Sequence, residues 1–265
     1  MAESWFVRDI RVTFSTAAGP VEALREVNLD LASGEFVTVI GSNGAGKSTL
    51  VMVLAGAQKA TSGSVHLGQR DVTDIPEHRR ARWVARVSQD TTSSVCTELS
   101  VYDNLVLAMT RGSRRSPIRQ ASNKTRIARA VAALDSYGSG LSERVRQPAG
   151  LLSGGQRQLL ALVMAVAVEP QLLLLDEHTS ALDPQMAETV MAATKDIVQS
   201  RGLTTLMVTH NMDHAAAYGD RLLIMSTGRV VDVLDAPTRQ ALGPSGLVER
   251  FRSVAQESLT DRMLA

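Results

Sequence analysis

A glycine-rich loop between an apolar strand and a helix is the feature that most constrains this fold. The apolar run 36–40 comes first, GSNGAGKST follows at 41–49, and helix-favouring residues continue to 54. In this context G-x-x-x-x-G-K-S predicts a phosphate-binding loop, because small residues let successive backbone N–H groups surround a triphosphate. The N-terminus of the following helix adds a positive dipole. We expect Lys47 to reach the β- and γ-phosphates and Ser48 to ligate Mg²⁺.

Composition limits the alternatives. The chain has 265 residues, a formal net charge of +1 and a single cysteine, Cys96. A chain of this length buries a large core without disulfides, and balanced charge gives no general attraction to nucleic acid or membrane. The longest apolar run, 159–168, is about half of the ~20 residues that a membrane helix needs. The N-terminus lacks the apolar region of a secretory signal, so we expect a cytoplasmic protein.

Short apolar runs alternate with helical segments, which predicts an α/β fold with a largely parallel sheet. Residues 4–14 and 21–31 indicate two antiparallel strands near the N-terminus. From about 90 to 165 the apolar residues follow helical periodicity, which indicates an inserted helical subdomain. We therefore expect one domain over 1–240 and a short tail over 241–265, helical from about 246. Buried strands are expected at 36–40, 172–175 and 204–209.

Two acids directly follow the apolar run 172–175 and predict a second part of the nucleotide site. Asp176 would hold Mg²⁺ through its water shell, because magnesium prefers oxygen ligands and keeps several waters. Glu177 would position and activate the water that attacks the γ-phosphate.

A third motif, LSGGQ at 152–156, precedes the apolar helix 159–168. Ser153 and the two glycines open a helix whose first N–H groups can hold an anion. Taken alone, the same letters also fit an N-capped helix with a flexible lead-in. The surrounding motifs decide between the two interpretations.

Together these motifs resemble the ATP-binding cassette family, the nucleotide-binding subunits of ABC transporters. GSNGAGKST is similar to its Walker A motif, LSGGQ to its signature and LLLLDE to its Walker B motif. SALD at 180–183 resembles the D-loop, Gln89 the Q-loop glutamine and His210 the switch histidine. The resemblance covers nearly the whole chain. It implies a P-loop NTPase core of the ABC ATPase type, with an N-terminal antiparallel β subdomain and an inserted α-helical subdomain.

The resemblance also implies the roles of individual residues, with ATP and Mg²⁺ bound. Phe14 takes the position of an aromatic residue that stacks on adenine, or else belongs to the core of the N-terminal sheet. The catalytic residues are expected to be Lys47, Gln89, Glu177 and His210. The metal ligands are expected to be Ser48, Gln89 and Asp176. The residues expected to bind ATP are Phe14, Gly41, Ser42, Asn43, Gly44, Ala45, Gly46, Lys47, Ser48, Thr49, Ser153, Gly154, Gly155, Gln156 and Asp183.

The way in which two subunits assemble is implied by the resemblance and not by the spacing of the motifs. Two subunits, this chain with a second copy or a homologous ATPase, are expected to pack head to tail around two ATP molecules. Each ATP then contacts the Walker motifs of one subunit and Ser153 and Gly155 of the other. Closure of the dimer by ATP couples hydrolysis to motion. Gln89 is expected to sense the γ-phosphate and to signal its presence to the helical subdomain. His210 is expected to hold Glu177 in position.

The sequence around the Walker B motif is similar to that of one branch of importer ATPases. Glu177 is followed by His178, where most family members carry proline, and DEHT resembles uptake systems for tryptophan, tyrosine or related small solutes. Such systems include transmembrane permease subunits and an extracytoplasmic solute-binding protein. The expected location is the inner face of the cell membrane, through the permease, with no nucleic acid partner. The alternatives are an exporter ATPase subunit and a soluble ABC ATPase outside transport.

Two features have more than one interpretation. His178 either titrates near neutral pH beside the catalytic base or replaces a turn residue, and we favour the second interpretation. Basic residues between 111 and 129 are compatible with lipid headgroups or nucleic acid. We favour a solvated surface for that stretch.

Overall fold

The structure is a computed structural model that describes residues 3–110, 124–135 and 140–264. It divides into two compact units. Unit 1 combines residues 1–77 with 202–265, and unit 2 contains residues 78–201. Among the described residues, no helix has both the length and the apolar character needed to cross a bilayer.

An antiparallel sheet forms the N-terminal part of unit 1. Strands β1 (Trp5–Thr16) and β2 (Gly19–Leu31) pair as a hairpin, and β1 also pairs with β4 (Ser62–Leu67). The short strand β5 (Arg70–Asp71) extends the sheet beyond β4. Residues facing inward from β1, such as Trp5, are fully buried, which is the alternation of a one-sided sheet. The expected N-terminal β subdomain is confirmed.

A second group of strands in unit 1 is mainly parallel. Strand β3 (Phe36–Gly41) lies between β8 (Thr204–Val208) and β9 (Arg221–Ser226) and runs parallel to both. Strand β10 (Arg229–Asp235) returns antiparallel to β9. Strands β3 and β8 are buried along nearly their whole length, which explains their continuous apolar sequences. Helix α1 (Lys47–Ala55) follows β3 and ends at Gly56 in the left-handed conformation.

The C-terminal helix differs from its prediction. Helix α8 (Ala236–Leu264) begins well before residue 246 and is interrupted at Gly243, where φ is 59° and ψ is −178°. Pro244 follows the interruption, and a Gly-Pro pair is a typical signal for the end of a helix. The carboxylate of Asp235 accepts a hydrogen bond from the Thr238 amide at 2.9 Å and so caps the first segment.

The tail belongs to the core of unit 1. Leu247 of α8 is fully buried in one cluster with Ile40 of β3 and with Ala215. Ala215 lies in the short helix α7 (Met212–Ala217), which the sequence did not predict. The tail therefore packs on the strand that leads into the glycine-rich loop.

Unit 2 contains a pair of parallel strands and most of the helices. Strand β6 (Val84–Ser88) pairs with β7 (Leu172–Asp176), whose four leucines are fully buried. The short helix α2 (Glu77–Arg80) lies at the boundary of the two units. The basic stretch 111–129 falls largely on residues or side chains outside the described part of the chain. The other helices of unit 2 are α3 (Val101–Thr110), α4 (Lys124–Asp135), α5 (Gly154–Val166) and α6 (Pro184–Arg201).

Candidate nucleotide-binding site

The glycine-rich loop connects β3 to α1 in the predicted way. Lys47 is the first residue of α1 and only 7% exposed. Its Nζ donates hydrogen bonds to the carbonyls of Gly41 at 2.8 Å and Ser42 at 3.0 Å. No side chain caps the first turn of α1, because its N-cap residue is Gly46. A lysine held over the loop and a helix N-terminus with no side-chain cap suit a phosphate group.

Gly46 is required for two reasons. Its φ of 96° lies in the left-handed region, which other residues rarely adopt. A Cβ built at this position would lie 2.5 Å from the Ala23 carbonyl oxygen and 2.8 Å from Cδ2 of Leu24. The loop therefore packs closely on β2, while Ser42, Asn43, Gly44 and Ser48 remain exposed to solvent.

His210 lies at the same strand edge as the loop. Strand β8 runs beside β3, and the amide of Thr209 donates to the carbonyl of Val39 at 3.1 Å. His210 follows directly and is exposed. Asn211 then caps α7, since its Oδ1 accepts hydrogen bonds from the amides of Asp213 and His214. Unit 1 thus places His210 and the phosphate loop at the carboxyl ends of neighbouring parallel strands.

A buried arginine supports the helix that follows His210. The guanidinium of Arg239, on α8, donates to the carbonyls of Ala215 at 3.1 Å, Gly219 at 2.6 Å and Tyr218. Burial lowers the pKa of Arg239, and the nearby charge of Asp220 opposes that shift. The side chain is 1% exposed and caps the C-terminal end of α7. No sequence pattern pointed to Arg239, because a single arginine carries no periodic signal.

Phe14 lies in β1, opposite Val21 of β2. The Phe14 ring is partly exposed, and Val21 is 50% exposed. Phe14 therefore belongs to the same unit as the phosphate loop but not to its fully buried core.

In unit 2 the polar residues also gather where parallel strands end. Ser88 of β6 and Asp176 of β7 are paired in register, so Gln89 and Glu177 follow at the same edge. Gln89 is exposed, whereas Asp176 and Glu177 are partly buried. Next to Gln89, hydrogen bonds from the Thr92 hydroxyl and amide lower the pKa of Asp90.

Gln158 joins the strand end to the signature helix. It lies on α5, is 1% exposed, and its Nε2 donates to the carbonyl of Ser88 at 3.3 Å. Ser88 directly precedes Gln89 in sequence. This contact was not predicted, because the residues around Gln158 fit an ordinary helix.

Glu177 adopts an unusual backbone conformation. Its φ of 52° lies in the left-handed region, which costs a residue with a side chain about 1–2 kcal/mol. The carbonyl of Glu177 accepts hydrogen bonds from the amide of Ser180 at 3.0 Å and from its hydroxyl at 2.8 Å. The intervening His178 is 3% exposed, and its Nε2 lies 3.1 Å from Oγ1 of Thr194 on α6.

The signature motif forms the start of α5. The Ser153 hydroxyl accepts from the Gln156 amide at 3.3 Å, and the Gln156 side chain accepts from the Ser153 amide at 3.1 Å. This reciprocal capping box fixes the turn. Ser153 and Gly154 are exposed, and Gly155 is buried. The helix begins at Gly154, as expected for a motif whose serine and glycines open it.

Asp183 caps the next helix. Its Oδ1 accepts a hydrogen bond from the Met186 amide at 3.0 Å, and Pro184 is the first residue of α6. An N-cap aspartate followed by an N1 proline is a typical start of a helix. Asp183 is exposed to solvent.

The side chains expected to bind Mg²⁺ carry oxygen donors. Within the described ranges, no three His, Cys, Asp or Glu side chains form a cluster that could hold a metal ion. Magnesium does not need such a cluster, because it is commonly bound by one or two carboxylates together with phosphate oxygens and waters. The oxygen groups of Ser48, Gln89 and Asp176 are hard donors that match this preference.

A phosphate loop between a buried parallel strand and a helix defines a P-loop nucleotide-binding protein. The ABC transporter family model matches residues 24–180, more than half of the chain. A tyrosine transport ATP-binding protein of Clostridioides difficile is 36% identical over 92% of this chain and 97% of its own length. The chain belongs to the ABC transporter family. It is an ATP-binding and ATP-hydrolysing protein of that family, and Mg²⁺ is the metal that such proteins use with ATP.

Other relatives are longer than this chain. A spermidine/putrescine import ATP-binding protein of Acidothermus cellulolyticus is 34% identical over 84% of this chain and 55% of its own length. A methionine import ATP-binding protein of Brucella abortus is 33% identical, over 85% and 58% respectively. The chain therefore spans little more than half of these two relatives.

Solved structures share the fold. A dimeric bacterial ABC transporter cassette, MJ0796, is 26% identical, with a TM-score of 0.76 over 88% of this chain and 98% of its own. A dimeric post-hydrolysis state of the same cassette, bound to ADP and Pi, has 25% identity and a TM-score of 0.75.

Proposed function

We propose that the chain powers import of a small solute through separate transmembrane subunits. Its relatives carry the names of import ATP-binding proteins for polyamines and methionine, and the relative covered over 97% of its length is a tyrosine transport protein. These names favour import over the exporter alternative, and over a soluble ATPase outside transport. The tyrosine relative supports a small organic solute such as an aromatic amino acid.

One observation supports the site most strongly. In each unit, the polar residues expected to act on ATP follow the carboxyl ends of adjacent parallel strands. The loop and His210 follow β3 and β8, and Gln89 and Glu177 follow β6 and β7. Ligands of α/β proteins bind at this end of the strands.

The proposed chemistry uses the side chains at these strand ends. The ammonium of Lys47 exchanges its loop carbonyls for β- and γ-phosphate oxygens. Ser48, Gln89 and Asp176 would hold Mg²⁺, which when bound would supply positive charge beside the phosphate oxygens. Glu177 accepts the proton of the attacking water. His210 contacts the γ-phosphate and holds the water and Glu177 in line.

ATP is recognised at two further points in this proposal. Phe14 stacks on adenine, an interaction worth about 1–3 kcal/mol by analogy with nucleic-acid bases. The signature residues 153–156 bind the γ-phosphate of the partner subunit's ATP, and Asp183 lies at the same interface. The exposure of Ser153 and Asp183 supports contact with a second subunit.

The proposal includes partners on both sides of the membrane. The chain pairs with a second copy or a homologous ATPase, and the dimeric relatives support such a pair. The pair binds permease subunits at the inner face of the membrane, and an extracytoplasmic solute-binding protein delivers the solute. Nucleic acid is not among the expected partners.

Replacement of Glu177 with glutamine tests the base assignment. Glu177→Gln should retain ATP binding and lower turnover by about 10²–10⁴-fold, because general-base positioning is worth that much. The variant should also accumulate as an ATP-bound dimer, which size-exclusion chromatography with light scattering detects. Turnover near the wild-type rate would contradict the assignment.

Replacement of Ser153 with arginine tests the contribution in trans. Ser153→Arg should leave the ATP affinity of the isolated chain unchanged and prevent the dimer that Glu177→Gln accumulates. Fluorescent-nucleotide titration and light scattering measure the two properties separately. Loss of ATP binding by the isolated variant would argue that Ser153 acts within its own subunit.

Identification of the membrane partners tests import. Affinity purification from solubilised membranes, followed by mass spectrometry, should recover a permease and a solute-binding protein. Radiolabelled tyrosine uptake by the reconstituted complex should depend on Glu177. Recovery of a permease that moves solute only outward would refute import while leaving the ATPase assignment intact.

A further inference from the structure

The segment from Glu177 to Ser180 forms a tight turn whose two ends are joined by hydrogen bonds and whose middle is bonded to α6. We propose that His178 and Ser180 are positioning residues that hold Glu177 in its catalytic orientation. This inference rests on the proposed function, because Glu177 is the base of that proposal. It assigns a role in catalysis to two side chains that need not touch the nucleotide.

Ser180 fixes the carbonyl of Glu177. The amide and the hydroxyl of Ser180 both donate to that single oxygen, at 3.0 Å and 2.8 Å. The left-handed φ of 52° at Glu177 is disfavoured for glutamate and persists only where surrounding contacts impose it. The two bonds from Ser180 supply such contacts.

His178 fixes the middle of the turn to α6. The hydroxyl of Thr194 has one proton and donates it to the Val190 carbonyl at 2.8 Å. The same oxygen lies 3.1 Å from Nε2 of His178, so the hydrogen-bond network assigns the proton to Nε2, which donates to Thr194. Both side chains are buried, with His178 3% exposed and Thr194 fully buried. The ring is therefore a buried anchor rather than a surface group.

The turn places these contacts one and three residues after Glu177. Thr179 is 9% exposed, and its carbonyl accepts from the Leu182 amide at 3.2 Å, which continues the fixed segment toward Asp183. Because the backbone of this segment is fixed, the carboxylate of Glu177 keeps its direction even though its side chain is partly exposed. If a support is removed, the backbone of Glu177 can relax toward favoured φ values and turn the carboxylate away.

Ser180→Ala removes one of the two bonds and tests the first contact. It should lower kcat by about 10–100-fold, because a misplacement of about 1 Å can cost that much. The KM for ATP should stay within about 3-fold, since ground-state binding is unchanged. Ser180→Thr retains the hydroxyl and should restore most of kcat. An unchanged kcat, or a KM increase that accounts for the whole loss, would overturn the role of Ser180.

Thr194→Val tests the second contact with a matched control. Thr189 lies on the same helix and makes the same kind of bond, its hydroxyl donating to the Gln185 carbonyl at 3.0 Å. Thr189→Val therefore removes an equivalent helix bond without affecting His178. Thr194→Val should lower kcat at least about 5-fold relative to Thr189→Val, with KM unchanged. Equal kcat values for the two variants would overturn the role of His178.

A double-mutant cycle separates this inference from the proposed function. Ser180→Ala should have no further effect on the residual turnover of Glu177→Gln, measured by release of radiolabelled phosphate, because Ser180 acts through the missing carboxylate. If the two effects multiply, Ser180 acts independently of Glu177 and the inference fails alone. If Glu177→Gln retains near wild-type turnover, the assignment of Glu177 as the base in the proposed function fails first.

Discussion

Replacement of Gly155 with alanine would place a methyl carbon 1.9 Å from Cγ of Met186 and 2.4 Å from its Sδ. Carbon atoms in contact normally lie about 3.5–4.0 Å apart. Cγ is close to the backbone of α6, so Met186 must change its χ1 rotamer or the two helices must separate. Either response loses packing around the buried Gly155.

Gly154 provides the matched comparison. A methyl group there would lie 3.6 Å from Cδ2 of Leu182, an ordinary contact. Both substitutions gain up to about 1 kcal/mol from the better helix propensity of alanine, and this gain cancels in the comparison. The remaining difference is the overpacking at Gly155, which costs about 1–3 kcal/mol. At about 2–4 °C per kcal/mol, Gly155→Ala should melt roughly 2–12 °C below Gly154→Ala.

Differential scanning calorimetry of the two variants without nucleotide measures this difference, because no partner subunit or ligand is involved. The double variant Gly155→Ala with Met186→Ala should recover most of the loss, since it removes Cγ and Sδ together. If Gly155→Ala melts within 1 °C of Gly154→Ala, or if Met186→Ala brings no recovery, the packing argument is refuted.

Three further predictions concern unit 1. Arg239→Met should lower the free energy of unfolding in urea by about 2–4 kcal/mol, because three carbonyls lose a charged hydrogen-bond donor. The control is Arg252→Met on the same helix, which should be nearly neutral because Arg252 is exposed. Hydrogen bonds from Thr238 hold the pKa of Asp235 below its ordinary value of 3.8. The ionised Asp235 therefore stabilises the folded chain above pH 3.8, and this stabilisation is lost as the pH falls through the lower pKa of the folded state. Asp235→Asn should consequently show a smaller drop in the urea midpoint on acidification than the wild-type chain. Gly46→Ala should abolish binding of a fluorescent ATP analogue, because the loop cannot keep a φ of 96°.

Local sequence was sufficient for several elements. The strand, loop and helix around Lys47 were predicted because each depends on neighbours within a few residues. The pair Asp183-Pro184 predicted the start of α6 for the same reason. The buried strand 172–175 followed from four consecutive leucines. In contrast, α7 is six residues long and was too short to show a helical period.

The sequence by itself determined where phosphate-binding groups stand along the chain, because loop chemistry, capping and hydrophobic runs are short-range properties. Only the tertiary structure decided which distant residues support them. The side chain of Met186 leaves no room for a Cβ at Gly155, and the hydroxyl of Thr194 gives the buried His178 a hydrogen-bond partner. Arg239 caps a helix that lies more than 20 residues earlier in the chain. The physical reason is that packing and buried hydrogen bonds join residues through space, and no local pattern encodes that contact.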